Sequence, residues 1–362
     1  MTRPHVLVDG FFLGKPYGFG RFAGELVRAL SLHAPDVDVS VAVPEDTAWV
    51  PESAPEHVTL HRLPPRNLIV WEQVAVPALA RRLGCHVIHF PYNTRALHTR
   101  GLPSVTTVHD LVFLEPDAAA GLTPKERVSF GYARWAFKYA TLRSEALVSV
   151  SETTARLLDE RGVPSSVVYN TVDGFAAALP ERPAGSTGRR YVLHRGGTAA
   201  HRNTGRVIEA FRQVRQEHPD VDLKVIGVPD GAAVWDVAPD EGITFLPRQT
   251  DAELAALYAD SACVLATSLE EGFGLPIIEG FVFGAPVVTS DRDPMREVAG
   301  GAARLVDPTE ADEIADALGG VLADPSLAAT LRARGAERYR DFTAEQVAGR
   351  MREVYREVAA AP

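Results

Sequence analysis

Residues Ser261–Asp291 read SACVLATSLEEGFGLPIIEGFVFGAPVVTSD. The run at 261–268 is apolar and short, the length of one buried strand. Gly272 and Gly274 then punctuate the chain, and Pro276 suits the first turn of a helix. A helical stretch over 276–283 follows, and a second apolar run at 286–289 reads as another strand. Strand, glycine loop, helix, strand is the unit from which parallel sheets with helices on both faces are built.

The loop has a chemical reading as well. Gly272 and Gly274 allow the backbone to turn sharply and to approach a ligand closely. The N–H groups around Gly274 and Leu275 point out of a helix N-terminus, which makes a site for an anion such as phosphate. Two carboxylates, Glu271 and Glu279, flank this cradle. Next to a phosphate they are repelled, so they are read as facing hydroxyls, because a carboxylate accepts two or more hydrogen bonds from a diol. A sugar joined to a nucleoside through a diphosphate carries diols at both ends of an anionic centre. The plainer alternative makes Glu279 a complement to the helix dipole and Glu271 a solvated loop residue, and spacing alone leaves the two even.

The same alternation runs through the chain. Strands are expected near 5–12, 38–44, 57–62, 86–90, 105–109, 146–150 and 166–169, with helices at 20–32, 70–83 and 125–142 among those between them. Further strands are expected near 190–195, 222–227, 243–246, 262–267, 286–289 and 303–306. Their helices fall at 203–217, 251–260, 276–283, 309–323 and 327–339. LPERPAGSTGRR at 179–190 is rich in Pro and Gly, has no period and reads as a linker. The expectation is two doubly wound, Rossmann-like α/β domains, 1–180 and 181–340, facing a central ligand cleft. A C-terminal helix within 341–362 is expected to pack back on the first. Its stripe Val347, Met351, Val354, Tyr355 and Val358 is read as core.

Composition narrows the function. The 362 residues are 46% hydrophobic and carry a net charge of −10. Residues 1–180 balance 17 Lys and Arg against 18 Asp and Glu, and the remainder carries 20 against 29, so no half is basic and nucleic acid is not the expected partner. Cys85 and Cys263 read as buried thiols of a reducing compartment. No stretch reaches the roughly 20 apolar residues that span a bilayer. MTRPHVLVDGFF reads as a strand without the apolar core of a signal peptide. A cytoplasmic enzyme is expected. KERVSFGYARWAFKYATLR mixes cations with aromatics. It is read as the solvated face of a partly buried helix, with a peripheral membrane contact as the alternative.

EGFGLPIIEG, with its E-x7-E spacing, resembles the signature of the family 4 retaining glycosyltransferases of the GT-B fold. The similarity runs on through GFVFGAPVVTSDRDPMREVAGGAARLVDP. Further segments agree in order: GKPYGFGRFAGELVRAL, VTTVHDL, ALVSVSETTARLL, VVYNTVD, HRGGTAAHRNTGRVIEAF and ITFLPRQTDAELAALYADSACVLATSLEEGFG. The resemblance implies that Glu279 holds the ribose hydroxyls. It implies that Glu271 and the backbone of Gly272, Phe273 and Gly274 contact the transferred sugar. It places Arg202, followed by Asn203, at the diphosphate, where Arg's fork suits a phosphate. His201 stands where the family has a preceding arginine, and Arg195 is a candidate replacement. His109, which by itself reads as a structural strand-end residue, is placed beside the donor sugar and phosphate. Gly18 and Gly20 are implied to let the first domain's backbone approach the donor.

The expected activity is transfer of a sugar from a nucleotide-diphosphate sugar to the hydroxyl of a small-molecule, glycan or lipid-linked acceptor. Configuration is expected to be retained, with no metal and no cofactor. Three rivals stand beside it. A non-catalytic sugar-nucleotide-binding protein would use the same site. A GT-B phosphorylase or epimerase would keep the fold. A metal-dependent transferase of the other major fold would hold its ion on a D-x-D triplet, for which Asp291 and Asp293 are the best candidates and Asp36/Asp38 and Asp220/Asp222 read as turn residues.

Overall fold

Among the described residues thirteen strands pair, all in parallel, into two sheets. The first contains β1 (His5–Asp9), β2 (Asp38–Pro44), β3 (Val58–Leu63), β4 (Val87–Phe90), β5 (Ser104–Val108), β6 (Ala146–Ser149) and β7 (Ser166–Val167), in the order β3-β2-β1-β4-β5-β6-β7. The second contains β8 (Arg190–Arg195), β9 (Val221–Ile226), β10 (Ile243–Leu246), β11 (Cys263–Ala266), β12 (Val287–Ser290) and β13 (Arg304–Val306), in the order β10-β9-β8-β11-β12-β13. The computed structural model describes residues 3–15, 18–50, 55–64, 66–115, 123–179 and 189–360, with the side chains of 124–126 left aside.

Strands covered by helices on both faces have no solvent side, so they are apolar throughout rather than alternating. Val6, Leu7 and Val8 of β1 have no exposed surface, and neither do Cys263 and Leu265 of β11. The chain divides into two compact units, 1–171 with 343–362, and 172–342. The linker read at 179–190 lies mostly outside the described residues, and the division falls before it, ahead of the short helix Asp173–Ala176. The last helix, Ala344–Ala360, lies in the first unit beside Gly18–His33, with Val347, Met351, Val354, Tyr355 and Val358 all buried.

Both sheets reverse strand order beside their first strand, between β1 and β4 and between β8 and β11. Loops leaving the carboxyl ends on either side of such a point diverge and open a crevice. In the first unit that edge carries Asp9 and the 91–95 loop. In the second it carries Arg195 and the loop that leads to Gly274.

Two local features depart from periodicity. The helix expected over 70–83 contains a wide turn, Trp71–Ala75, before Val76–Leu83. Pro77 has no N–H for the carbonyl of Gln73 four residues back, and the turn before it widens. The C-terminal helix is pinned by a buried polar pair: Tyr355 lies 2.6 Å from His89 Nδ1, while His89 Nε2 lies 2.8 Å from Thr107. Tyr355→Phe keeps the ring and strands that nitrogen. It is expected to lower stability by about 1–3 kcal/mol, read as an earlier first transition in urea unfolding.

Candidate active site

The second unit assembles the cradle read from the sequence. Gly274 takes φ +102°, a left-handed conformation that favours glycine, and the helix Leu275–Val282 starts after it. A Cβ there would stand 3.0 Å from Ile277 Cδ1. Gly272 is half-buried. Phe273 is 4% exposed and packs edge-on against Phe342 at 5.8 Å, so its ring anchors the loop. Leu275 opens the helix, half-buried.

Both carboxylates hold an arginine. Glu271 Oε1 accepts from Arg202 Nη1 at 2.6 Å and from Ser268 Oγ at 3.0 Å. Glu279, with no exposed surface, accepts from Arg195 Nη1 at 2.8 and 2.7 Å and from the Tyr258 hydroxyl at 2.6 Å. The Glu279 carboxylate raises the pKa of Arg195 above its already high value. The carboxylates are expected from the sequence to face hydroxyls; in the structure each meets an arginine of the protein. Glu279 lies too deep to be only a partner of the helix dipole, and Glu271 is not a loosely solvated loop residue.

Arg202 and Asn203 follow one another and do different things. The Arg202 side chain is 36% exposed and reaches Glu271. Asn203 is buried at φ +59°, and its amide donates to the carbonyls of Thr267 at 2.9 Å and Pro308 at 2.7 Å. Asn203 is thus a clamp that ties its loop to the ends of β11 and β13. Leu269 N adds a bond to the His201 carbonyl at 2.8 Å. His201 itself is exposed.

In the first unit His109 follows β5 and is 8% exposed. Its ring Nε2 lies 3.0 Å from the Pro91 carbonyl, and its backbone N–H donates to Asn93 Oδ1 at 2.7 Å. Phe22 and Phe19 stand edge-on to the ring at 4.6 and 4.9 Å. A carbonyl only accepts, so Nε2 carries the proton and Nδ1 presents a lone pair. Burial brings the pKa down to about 4, so the ring is neutral at working pH. It can orient a hydroxyl, and it is not a general acid. The rate is therefore expected to show no limb from His109 between about pH 5 and 8. A limb there that vanishes in His109→Gln would show the ring titrating.

The 91–95 loop is mostly committed to the fold: Pro91 and Asn93 hold His109, Thr94 donates to Glu72 at 2.5 Å, and Arg95, 4% exposed, donates to Ala96 O at 2.8 Å. Gly18 and Gly20 separate in role. A Cβ on Gly20 would lie 2.4 and 2.5 Å from the carbonyls of Phe12 and Lys15, so the fold itself requires glycine there. A Cβ on Gly18 would meet nothing within 4 Å.

Sequence reasoning missed two networks. Tyr258 completes the Glu279 site from 21 residues away, and no spacing marks it. In the first unit Asp9 Oδ1 accepts from Trp71 Nε1 at 2.7 Å, and its Oδ2 has no hydrogen-bond partner among the described residues. Nearby Glu72 accepts from Thr94, Tyr132 and Gln73. Burial raises Asp9 to about 6 and Glu72 to about 7. Burial also raises the Cys85 thiol, to about 11, and Cys263, to about 12, which makes both poor nucleophiles at neutral pH.

The D-x-D carboxylates are engaged by arginines. Asp291 accepts from Arg296 at 2.5 Å, and Asp293 lies 4.0 Å from the same side chain. Asp36 pairs with Arg356, Asp38 with Arg3, Asp220 with Arg190 and Asp222 with Arg215. Among the described residues no three His, Cys, Asp or Glu side chains cluster as metal ligands.

Two doubly wound parallel units, the second with a glycine cradle between arginine–glutamate pairs, are the architecture of a GT-B glycosyltransferase. Residues 179–338 match the family described as glycosyl transferases group 1, and 17–174 match glycosyltransferase family 4. The chain belongs to the family 4 glycosyltransferases. It is 26% identical over 275 residues to an MMP alpha-(1->4)-mannosyltransferase of Mycolicibacterium hassiacum, covering 72% of this chain and 66% of that one. It is 32% identical over 160 residues to a phosphatidyl-myo-inositol mannosyltransferase of Mycolicibacterium smegmatis, covering 43% and 42%. The matched stretch thus spans less than two thirds of either relative's length. A sucrose-phosphate synthase of Thermosynechococcus elongatus shares the fold, with TM-score 0.72 at 19% identity over 99% of this chain and 100% of that one. Among the described residues no single helix is long and apolar enough to cross a membrane.

Proposed function

We propose that the chain transfers a sugar from a nucleoside-diphosphate sugar to an acceptor hydroxyl, with retention and without a metal. The observation that carries this reading is the pairing of Arg202 with Glu271 and of Arg195 with Glu279 around the helix that starts after Gly274. Arginine suits phosphate oxygens and carboxylate suits diols, so each pair holds the two groups that a nucleotide sugar needs. The relatives are named as mannosyltransferases, and mannose is accordingly the first sugar to try. A glycan or lipid-linked acceptor is the class we propose. Two unpaired, buried cysteines support a reducing, cytoplasmic setting.

In this mechanism the departing diphosphate accepts the acceptor's proton on the face it leaves. The helix N-terminus and Arg202 stabilise its charge, the task a metal performs elsewhere. Neutral His109 orients a hydroxyl and supplies no base. A calorimetric screen of nucleotide sugars identifies the donor. The product made from it in the presence of EDTA is expected to keep the donor's anomeric configuration, read from the one-bond carbon–proton coupling of the new linkage. An inverted product, or activity that needs added manganese or magnesium, would overturn the reading. Turnover with an acceptor also separates it from a non-catalytic binding protein.

A further inference from the structure

The pair between Arg195 and Glu279 has its cation outermost. Glu279 has no exposed surface, whereas the Arg195 side chain keeps 34% of its own. A single guanidinium nitrogen, Nη1, holds both carboxylate oxygens, and Tyr258 holds Oε2 as well. The carboxylate thus sits on a single corner of the planar fork, whose guanidinium also meets the Tyr258 side chain. Arg195 is the last residue of β8, at the edge where the strand order reverses. A carboxylate covered in this way reaches a diol only if its cap moves. The cap in turn leaves a buried charge only for another anion, because either charge stranded alone is costly.

We propose that Arg195 is a ligand of the donor diphosphate, held on Glu279 until the nucleotide arrives. The phosphate oxygens then take the guanidinium, and the ribose diol takes the carboxylate it has left. Every charge keeps a partner throughout, and neither carboxylate confronts the entering phosphates uncovered. The inference rests on the nucleotide-sugar reading above.

Calorimetry with UDP, GDP, ADP, CDP and dTDP first finds the diphosphate that the wild-type chain binds best. That diphosphate and its parent nucleoside are then titrated into Glu279→Gln and into the double variant Arg195→Met/Glu279→Gln, in which no buried charge is stranded. Between these two variants, diphosphate affinity is expected to fall about tenfold or more and nucleoside affinity by less than roughly threefold. Arg195→Lys, which keeps the charge and loses the fork, is expected to shift the same ratio in the same direction and serves if the double variant does not fold. An equal change for nucleoside and diphosphate means that Arg195 is only a cap, and the inference falls while the function stands. If the wild-type chain binds none of the five diphosphates, the functional reading falls and takes the inference with it.

Discussion

Glu271→Ala is expected to lower kcat/KM by about 10²–10⁴-fold while the chain folds normally. In the proposed complex this carboxylate accepts from hydroxyls of the transferred sugar. Two hydrogen bonds to a charged group contribute about 3–6 kcal/mol together, which is that range of rates. The effect on stability is far smaller. Glu271 and Arg202 remain 17% and 36% exposed, and an ion pair this open contributes roughly 0–1 kcal/mol. The substitution also frees Arg202, so the nucleoside diphosphate is expected to bind as well as before or more tightly. Rate and affinity thus move apart, which a damaged fold does not produce. Near-wild-type turnover in Glu271→Ala would show that the carboxylate does not grip the sugar.

Strand positions were legible because a strand buried on both faces announces itself as an apolar run. The expected strand at 190–195 coincides with β8, and that at 243–246 with β10, an edge strand that is apolar in sequence although none of its residues is fully buried. β1 was read three residues too long, as 5–12. Its apolar pattern continues through Phe11 and Phe12, but the chain turns at Gly10, with Leu13 N bonded to the Gly10 carbonyl. The helix Met295–Ala299 is too short for a 3.6-residue period to show. The cradle was legible for a local reason: two glycines and a proline fix its backbone within six residues. The partners of its glutamates were not. Arg202 is 69 residues from Glu271 and Arg195 is 84 from Glu279, and nothing in either neighbourhood states that the side chains meet. Spacing could place a carboxylate beside an anion site. It could not show that an arginine already covers each one, which changes the binding event from filling an open site to exchanging partners.

Arg202→Ala is expected to weaken nucleoside-diphosphate binding on the order of 10- to 100-fold, leave nucleoside binding nearly unchanged, and lower kcat by about 10²–10³-fold, the usual cost of removing one group aimed at developing charge. Part of the binding loss has a source that the Arg202–Glu271 pair exposes. Without Arg202, Glu271 retains the Ser268 hydroxyl and keeps a full negative charge beside the cradle. At 4 Å, two unit charges in surroundings of intermediate polarity interact by about 4 kcal/mol, so the uncovered carboxylate repels the phosphates. Removing that carboxylate as well relieves the repulsion. The double variant Arg202→Ala/Glu271→Ala is therefore expected to bind the diphosphate more tightly than Arg202→Ala alone, although its turnover is the lowest of the set. The gain from removing Glu271 is expected to be larger without Arg202 than with it, which is a coupling of the kind that side chains in contact or sharing a partner display. Additive losses across the four members of the cycle would mean that the two residues meet the donor independently, and that their contact in the free chain has no part in binding.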